Sequence, residues 1–230
     1  MMKFFQFSRS SRDSDKVHYV GLSHQGQCIC LCYKSDESEI YTLWHTIDDY
    51  EQALNALTFT YQLIVPIPQH YIWKKTIILP APDSQLALDR YIAQILKQYL
   101  PITSEHLYID YYIEKLNEDR LHKLSLFALR KNYRQPLINS LKAIFDCEVH
   151  CLIRAIQHLT QIPNEQIQQY CFIIENQFIY YHNQQFIIND KNDSKNTEIN
   201  INGYLPEHCQ NSFLYLKALG GCLWNGKESI

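Results

Sequence analysis

Glycine is scarce in this chain, with six among 230 residues. None of them forms a phosphate cradle of the G-x-x-x-x-G-K-[ST] or G-x-G-x-x-G type, which excludes an ordinary P-loop or dinucleotide fold. The nearest approach is Gly21-Leu22-Ser23-His24-Gln25-Gly26, but Gln27 stands where the first pattern needs lysine. A G-x-S-x-G elbow, an H-E-x-x-H pair and an S-x-x-K motif are also missing, so acyl transfer and metalloprotease chemistry have no anchor. Long apolar runs are absent as well. Thr76-Ile77-Ile78-Leu79 stops after a few residues, against the ~18 to 20 needed to span a bilayer. Nor is there an excess of positive charge: 21 basic residues face 24 acidic ones, for a formal net charge of −3. Without a global positive field, direct binding to nucleic acid or an anionic membrane by bulk charge is not expected.

What the chain does have is core material. At 27.3 kDa and 46% hydrophobic residues, it suits one large domain or two small lobes around a packed interior. Phe4, Phe5 and Phe7 lie near the start, but Gln6, Ser8, Arg9 and Arg12 break up any secretory core, so a cytoplasmic protein is expected, with these rings packing on the domain. Eight cysteines do not form a disulfide framework in a chain of this length. Cys28, Cys30 and Cys32 alternate along a strand and project to one face, about 7 Å apart, which is too far for neighbours to share zinc without a turn. Cys147 and Cys151 flank Glu148-Val149-His150, but no partner C-x-x-C occurs, and no metal site is expected.

Periodicity gives the organisation. Val17–Leu22, Cys28–Tyr33 and Ile40–Trp44 read as a three-stranded meander. Asp48 and Asp49 then start an amphipathic helix through Tyr50, Ala53, Leu54, Leu57 and Tyr61, ending before Pro66 and Pro68. Trp73–Leu79 reads as a strand stopped by Pro80-Ala81-Pro82, and Asp83-Ser84 cap a helix carrying Leu88, Tyr91, Ile92, Ile95, Leu96 and Tyr99. Strands over Leu107–Ile113 and Leu121–Leu129, joined by a turn at Asn117-Glu118-Asp119, precede a helix from Tyr133 to Phe145 and a strand over Cys147–Ile153. A short helix at Arg154–Leu159 leads into a second meander, Gln169–Glu175, Gln177–His182 and Gln185–Ile188. Residues Asn189 to Asn202 are too polar to offset their ordering entropy and are expected to be a mobile loop. Last comes an apolar helix through Phe213, Leu214, Leu216, Leu219 and Leu223 that contains Gly220-Gly221, a pair suited to close backbone approach. Two meanders separated by an inserted block suggest a duplicated architecture.

Other residues point to chemistry only faintly. Ten histidines make chance pairings common. Asp110 on its strand could act as a base or ligand, but such acids more often sit on a wet face. Seventeen tyrosines could stack on single-stranded nucleic acid, yet Tyr111, Tyr112, Tyr180 and Tyr181 have few of the adjacent basic residues that such a groove needs.

The order of these elements resembles the PilM-like type IV pilus assembly proteins, and within them the competence protein A (ComA) and HofM branch. The likeness is carried by Val20-Gly21-Leu22-Ser23-His24-Gln25-Gly26, Ile78-Leu79-Pro80-Ala81, Tyr99-Leu100-Pro101 through Leu107-Tyr108-Ile109-Asp110-Tyr111, Leu126-Phe127-Ala128-Leu129-Arg130-Lys131, and Ala218-Leu219-Gly220-Gly221-Cys222-Leu223. Each motif is weak, but together they span residues 17 to 225.

The resemblance implies an α/β, actin-like ATPase fold (FtsA- and PilM-like, ribonuclease H-like) in reduced form. Its first lobe would span residues 1–82, an inserted α+β subdomain 83–153, and a reduced second lobe 154–230. It also implies a nucleotide cleft, and here the chain departs from the family. Nucleotide-binding members place Gly-x-Asp-x-Gly in the first turn, where this chain has Ser23 and His24, which are poor substitutes for the carboxylates that magnesium prefers. Phe172-Ile173-Ile174-Glu175-Asn176-Gln177-Phe178 stands where the second turn has Asp-x-Gly. Ser23, His24, Gly26, Gly220 and Gly221 would then be a vestigial pocket, with ATP and magnesium disfavoured and no catalytic residue. The expected function is a non-catalytic scaffold of a pilus or DNA-uptake machine, peripheral at the inner membrane. It would bind the N-terminal cytoplasmic tail of a PilN-like (ComB-like) protein in a groove near Tyr111, Phe127 and Tyr133, and contact other pilus or competence assembly proteins. The alternative is an ATP-binding protein whose nucleotide state gates partner binding.

Overall fold

A computed structural model describes residues 17–116, 121–133, 143–182, 185–191 and 196–225. The strands in chain order are β1 (His18–Gln25), β2 (Cys28–Lys34), β3 (Ile40–Thr46), β4 (Tyr61–Ile67), β5 (Trp73–Pro80) and β6 (Leu107–Leu116). They continue with β7 (Leu121–Arg130), β8 (Ala143–Cys147), β9 (Tyr170–Ile174), β10 (Gln177–His182), β11 (Gln185–Asn189) and β12 (Thr197–Asn200). The α-helices are α1 (Tyr50–Asn55), α2 (Gln85–Tyr99), α3 (Glu148–Thr160) and α4 (Ser212–Cys222). Two compact units result: one from the described residues of His70–Asn139, the other from those of Ser14–Gln69 and Ser140–Ile230.

The larger unit contains two sheets. In the five-stranded sheet the order is β3-β2-β1-β4-β8. Its first three strands form the expected antiparallel meander, while β4 runs parallel to β1 and β8 parallel to β4. The four-stranded sheet repeats the scheme as β11-β10-β9-β12, again a meander with a parallel strand beside its first member. The repeated order is the duplicated, mixed α/β architecture expected from the sequence, with the second copy one strand shorter among the described residues. Between the sheets' contributions lies a core that includes Cys30, Cys32, Ile153, Ile156, Phe172, Ile179, Tyr215 and Leu219. Helix α4 is buried all round, as a helix without a polar face must be. Asn211 caps it by accepting a hydrogen bond from the Leu214 N–H at 2.9 Å.

The smaller unit is a three-stranded antiparallel sheet, ordered β5-β7-β6 and backed by α2. Ser84 caps α2 as expected, accepting from the Ala87 N–H at 3.2 Å. Leu88, Ile92, Ile95 and Leu96 of α2 pack on Leu79, Leu107, Leu124, Leu126 and Ala128 of the sheet. The expected boundaries of the insertion were 83 and 153, whereas β5 pairs with β7 and β8 pairs with β4. Strand β5 therefore goes with the inserted unit, and β8 and α3 go with the larger one.

Four other local expectations are corrected. The helix expected to reach Tyr61 ends at Asn55, and Tyr61–Ile67 is strand β4. Pro66 is tolerated there because the β1–β4 ladder stops at Gly21 and Ile64, so no donor is needed toward β1 beyond it. Cys147–Ile153 is not a strand: β8 ends at Cys147, and Glu148 opens α3. Val149, Leu152, Ile153 and Ile156 recur at helical spacing, and the seven-residue window was too short to show it. Of the segment expected to be a mobile loop, Thr197–Asn200 forms β12, because pairing with β9 satisfies its backbone. Of the helix expected over Tyr133 to Phe145, the last residues, Ala143–Phe145, lie in strand β8. Residues 134–142, the turn at 117–119, residues 192–195 and the N-terminal phenylalanines lie outside the described residues.

Candidate functional site

The glycines that suggested a remnant nucleotide pocket have another use. Gly221 lies against Gly21: a Cβ built on Gly221 would sit 3.0 Å from the Gly21 Cα and 3.4 Å from the Ile64 carbonyl oxygen. A Cβ on Gly21 would run into the Ala218 carbonyl and stand 2.7 Å from the Cys222 nitrogen. A Cβ on Gly220 would run into the backbone of Cys151 in α3. All three glycines therefore let backbone meet backbone where β1, α3 and α4 cross. Their space is taken by protein.

The other members of the expected pocket do not converge on that junction. Ser23 is buried in β1 opposite Cys30, and His24 is half-buried opposite Ile29. Gly26 sits at the tip of the β1–β2 hairpin with φ +57° and nothing within 4 Å of an added Cβ. In the second meander Glu175 has φ +57°. Its N–H donates to Asn202 Oδ1 at 2.9 Å, and its carbonyl accepts from Asn202 Nδ2 at 3.3 Å. The turn's backbone is thus held by a side chain from after β12. Nothing in the local sequence around Glu175 pointed to Asn202, because 27 residues separate them.

A buried ionic network, also missed from the sequence, ties the same elements together. Asp146 at the end of β8 pairs with Arg154 of α3, and Arg154 Nε donates to the Gly220 carbonyl at 2.9 Å. His150 Nδ1 lies 3.5 Å from Asp146 Oδ1, and the Cys147 N–H donates to that same oxygen at 2.8 Å. Burial alone would push the Asp146 carboxyl up, but the His150 hydrogen bond and the Arg154 guanidinium outweigh it and hold the group below its usual range. Burial pushes the neighbouring Cys147 thiol up to about 11, and the Cys151 thiol is raised too. These are inert thiols rather than nucleophiles. Had the segment from Glu148 been read as a helix, His150 and Arg154 would have stood one turn apart on one face, leaning back toward the strand end that carries Asp146.

Cys30 and Cys32 have their sulfurs 4.0 Å apart, closer than an ideal strand would place them. Their shared hydrogen bond and then burial drive the Cys30 thiol far up. No group of three or more His, Cys, Asp or Glu side chains among the described residues is arranged to hold a metal ion.

The expected partner groove is not assembled from Tyr111 and Phe127 together. In the β6–β7 register Tyr111 stands opposite Leu126 and Asp110 opposite Phe127, so Tyr111 and Phe127 project from opposite faces of one sheet. Tyr111 packs with the α2 side, where its hydroxyl accepts from Gln85 Nε2 at 3.0 Å. Tyr133 lies in a short 3-10 turn just after β7. Phe127 belongs to the face away from α2, with Lys74 opposite on β5 and its Nζ 5.5 Å above the ring. On that face Ile78 is 66% exposed and Tyr112 51%, and Leu121 at the start of β7 is 41% exposed. Lys123 pairs with Glu114 at 3.3 Å, and Thr76 shares a hydrogen bond with Ser125 at 3.2 Å.

No family model matches the chain, and no curated protein matches it. Among the solved structures similar to the chain are two. One is the cytoplasmic domain of EpsL, an inner membrane component of the type II secretion system of Vibrio cholerae, with TM-score 0.49, 10% identity, and 90% of this chain and 94% of that chain covered. The other is a PilM–PilN type IV pilus biogenesis complex, with TM-score 0.49, 10% identity, and 75% of this chain and 58% of that chain covered. Among the described residues, no helix is long and apolar enough to cross a membrane.

Proposed function

We propose that this chain is a non-catalytic cytoplasmic scaffold of a type IV pilus or competence DNA-uptake machine, held at the inner membrane by a partner. Its ligand is the extended N-terminal tail of a PilN-like (ComB-like) inner-membrane protein. The observation that carries this reading is the face of the β5-β7-β6 sheet away from α2, uncovered among the described residues, where Ile78, Tyr112 and Phe127 lie beside the Lys123–Glu114 ion pair and the Thr76–Ser125 hydrogen bond. Apolar anchors ringed by polar pairs are what a peptide-binding sheet offers. The sequence resemblance supplies the identity of the peptide.

An ATP-gated protein of the same fold would need open backbone at its glycines. Here Gly21, Gly220 and Gly221 are packed against Ala218, Cys151 and one another, which supports the scaffold reading over the gated one. The test is fluorescence anisotropy of a labelled peptide with the sequence of the partner's tail, titrated with the full chain. Phe127→Asp should weaken binding by about 30-fold, a hot-spot loss of ~2 kcal/mol, while Tyr111→Phe, on the opposite face, should leave it unchanged. Equal affinity for Phe127→Asp and the unsubstituted chain would remove this face as the site.

A further inference from the structure

The remaining unexplained surface is the outer edge of β11. Among the described residues, five of the sheet edges are guarded or covered in familiar ways. β5 has Lys74, Lys75 and Pro80, and β6 has Asp110, Glu114 and Lys115. β8 carries Asp146 and β12 carries Glu198. The uncharged β3 is mostly half-buried, and its exposed Tyr41 stacks on Tyr33 with ring centroids 5.4 Å apart. β11 has none of these devices. Its sequence, Gln185-Phe186-Ile187-Ile188-Asn189, holds no charge and no proline, and among the described residues it pairs only with β10.

Two consecutive isoleucines on this strand, Ile187 and Ile188, are 45% and 51% exposed. Consecutive residues of a strand point to opposite faces, so both faces of the sheet are under-covered at this edge. Phe186 packs inward, its ring 5.5 Å from that of Tyr181, and belongs to the margin of the larger unit's core. Ile188 shares that face but extends beyond the covered part.

We infer that β11 is a self-pairing edge, at which two copies of this chain join antiparallel about a two-fold axis at Ile187 to make one continuous eight-stranded sheet. The strand is complementary to itself in this register. Ile187 meets its own counterpart, and Ile188 of each copy lies beside Phe186 of the other, extending the core margin across the axis. Shifting the register by two residues in one direction keeps only Phe186 against its counterpart and sets Ile187 against position 185, and shifting it in the other keeps only Ile188 against its counterpart and sets Phe186 against Asp190. Either shift leaves one apolar pair where the Ile187 register has three. Five-residue strands bury well under the ~1,200 Å² of a stable interface, so the dimer forms reversibly with concentration.

Sedimentation velocity of the full chain from low micromolar to submillimolar concentration tests this. The unsubstituted chain should shift from monomer to dimer. Ile187→Lys, which sets two ammonium groups directly opposite each other, should weaken association by roughly tenfold or more without lowering the melting temperature. As a second measurement, Ile187→Cys should cross-link to its counterpart under mild oxidation, and Asn189→Cys, which faces position 185, should not, each read against the unsubstituted chain. A monomer at every concentration, a dimer indifferent to Ile187→Lys, or equal cross-linking from both positions would overturn the proposal.

Discussion

The junction of β1, α3 and α4 and the uncovered face of the β5-β7-β6 sheet are opposite solutions to having few glycines and many apolar side chains. At the junction, glycine lets three backbones touch, and an ionic network of Asp146, Arg154 and His150 locks the crossing. The space beside each of these three glycines is filled by backbone. On the sheet face Ile78 and Tyr112 are exposed and Phe127 is half-buried, beside side-chain pairs that are themselves satisfied. The first region is organised for stability and the second for contact, so substitutions should sort cleanly between the two.

The largest effect is expected at the junction. Gly220→Ala forces a methyl group into the Cys151 backbone, and backbone has less room to yield than a side chain. A loss of about 3 kcal/mol or more in urea-induced unfolding is expected. A change under about 1 kcal/mol would mean that the crossing is looser than described. Arg154→Met comes next, since it leaves the Asp146 carboxylate buried without its guanidinium, at a cost of about 3 kcal/mol.

The pH dependence sharpens the same point. The folded Asp146 titrates below its ordinary value of 3.8, so its contribution is fully present above that value and is lost as pH falls through the lower, folded one. Asp146→Asn should therefore be less stable at neutral pH, and its stability should fall less steeply below about pH 4. Parallel acid-unfolding curves for the two proteins would contradict the depressed value.

Much of this arrangement was legible in the residues, for reasons that differ by element. The two meanders announced themselves by short β-rich runs separated by polar turns, and α2 by its Ser84 cap and the spacing of Leu88, Ile92, Ile95 and Leu96. β4 was hidden because Tyr61 also continued the helical spacing of Ala53 and Leu57, and because Pro66 argued against a central strand until its place beyond the β1 ladder was known. α3 was hidden by the short window around Cys147, and with it went the ionic network. The glycine pair was rightly read as a site of close approach, but sequence could not say whether its neighbour was a ligand or Gly21 and Cys151, which lie far away along the chain. Tyr111 and Phe127 seemed equivalent as aromatic residues on strands, and only the register assigned them to opposite faces.

A smaller effect is expected on the open face. Phe127→Ala should change unfolding free energy by about 1 kcal/mol or less, because the ring is only partly buried, and should act mainly on peptide affinity. A large stability loss would move Phe127 into the first class and erase the contrast between the regions.

The contrast is tested most directly by calorimetric titration of the full chain with magnesium and ATP. If the glycine crossing is closed, the titration gives no saturable heat, and the melting temperature stays where it was without nucleotide. A specific site would instead add about 2.7 kcal/mol of stability at 100 times its dissociation constant, and such saturable, stabilising binding would contradict a closed junction and restore a nucleotide-gated protein.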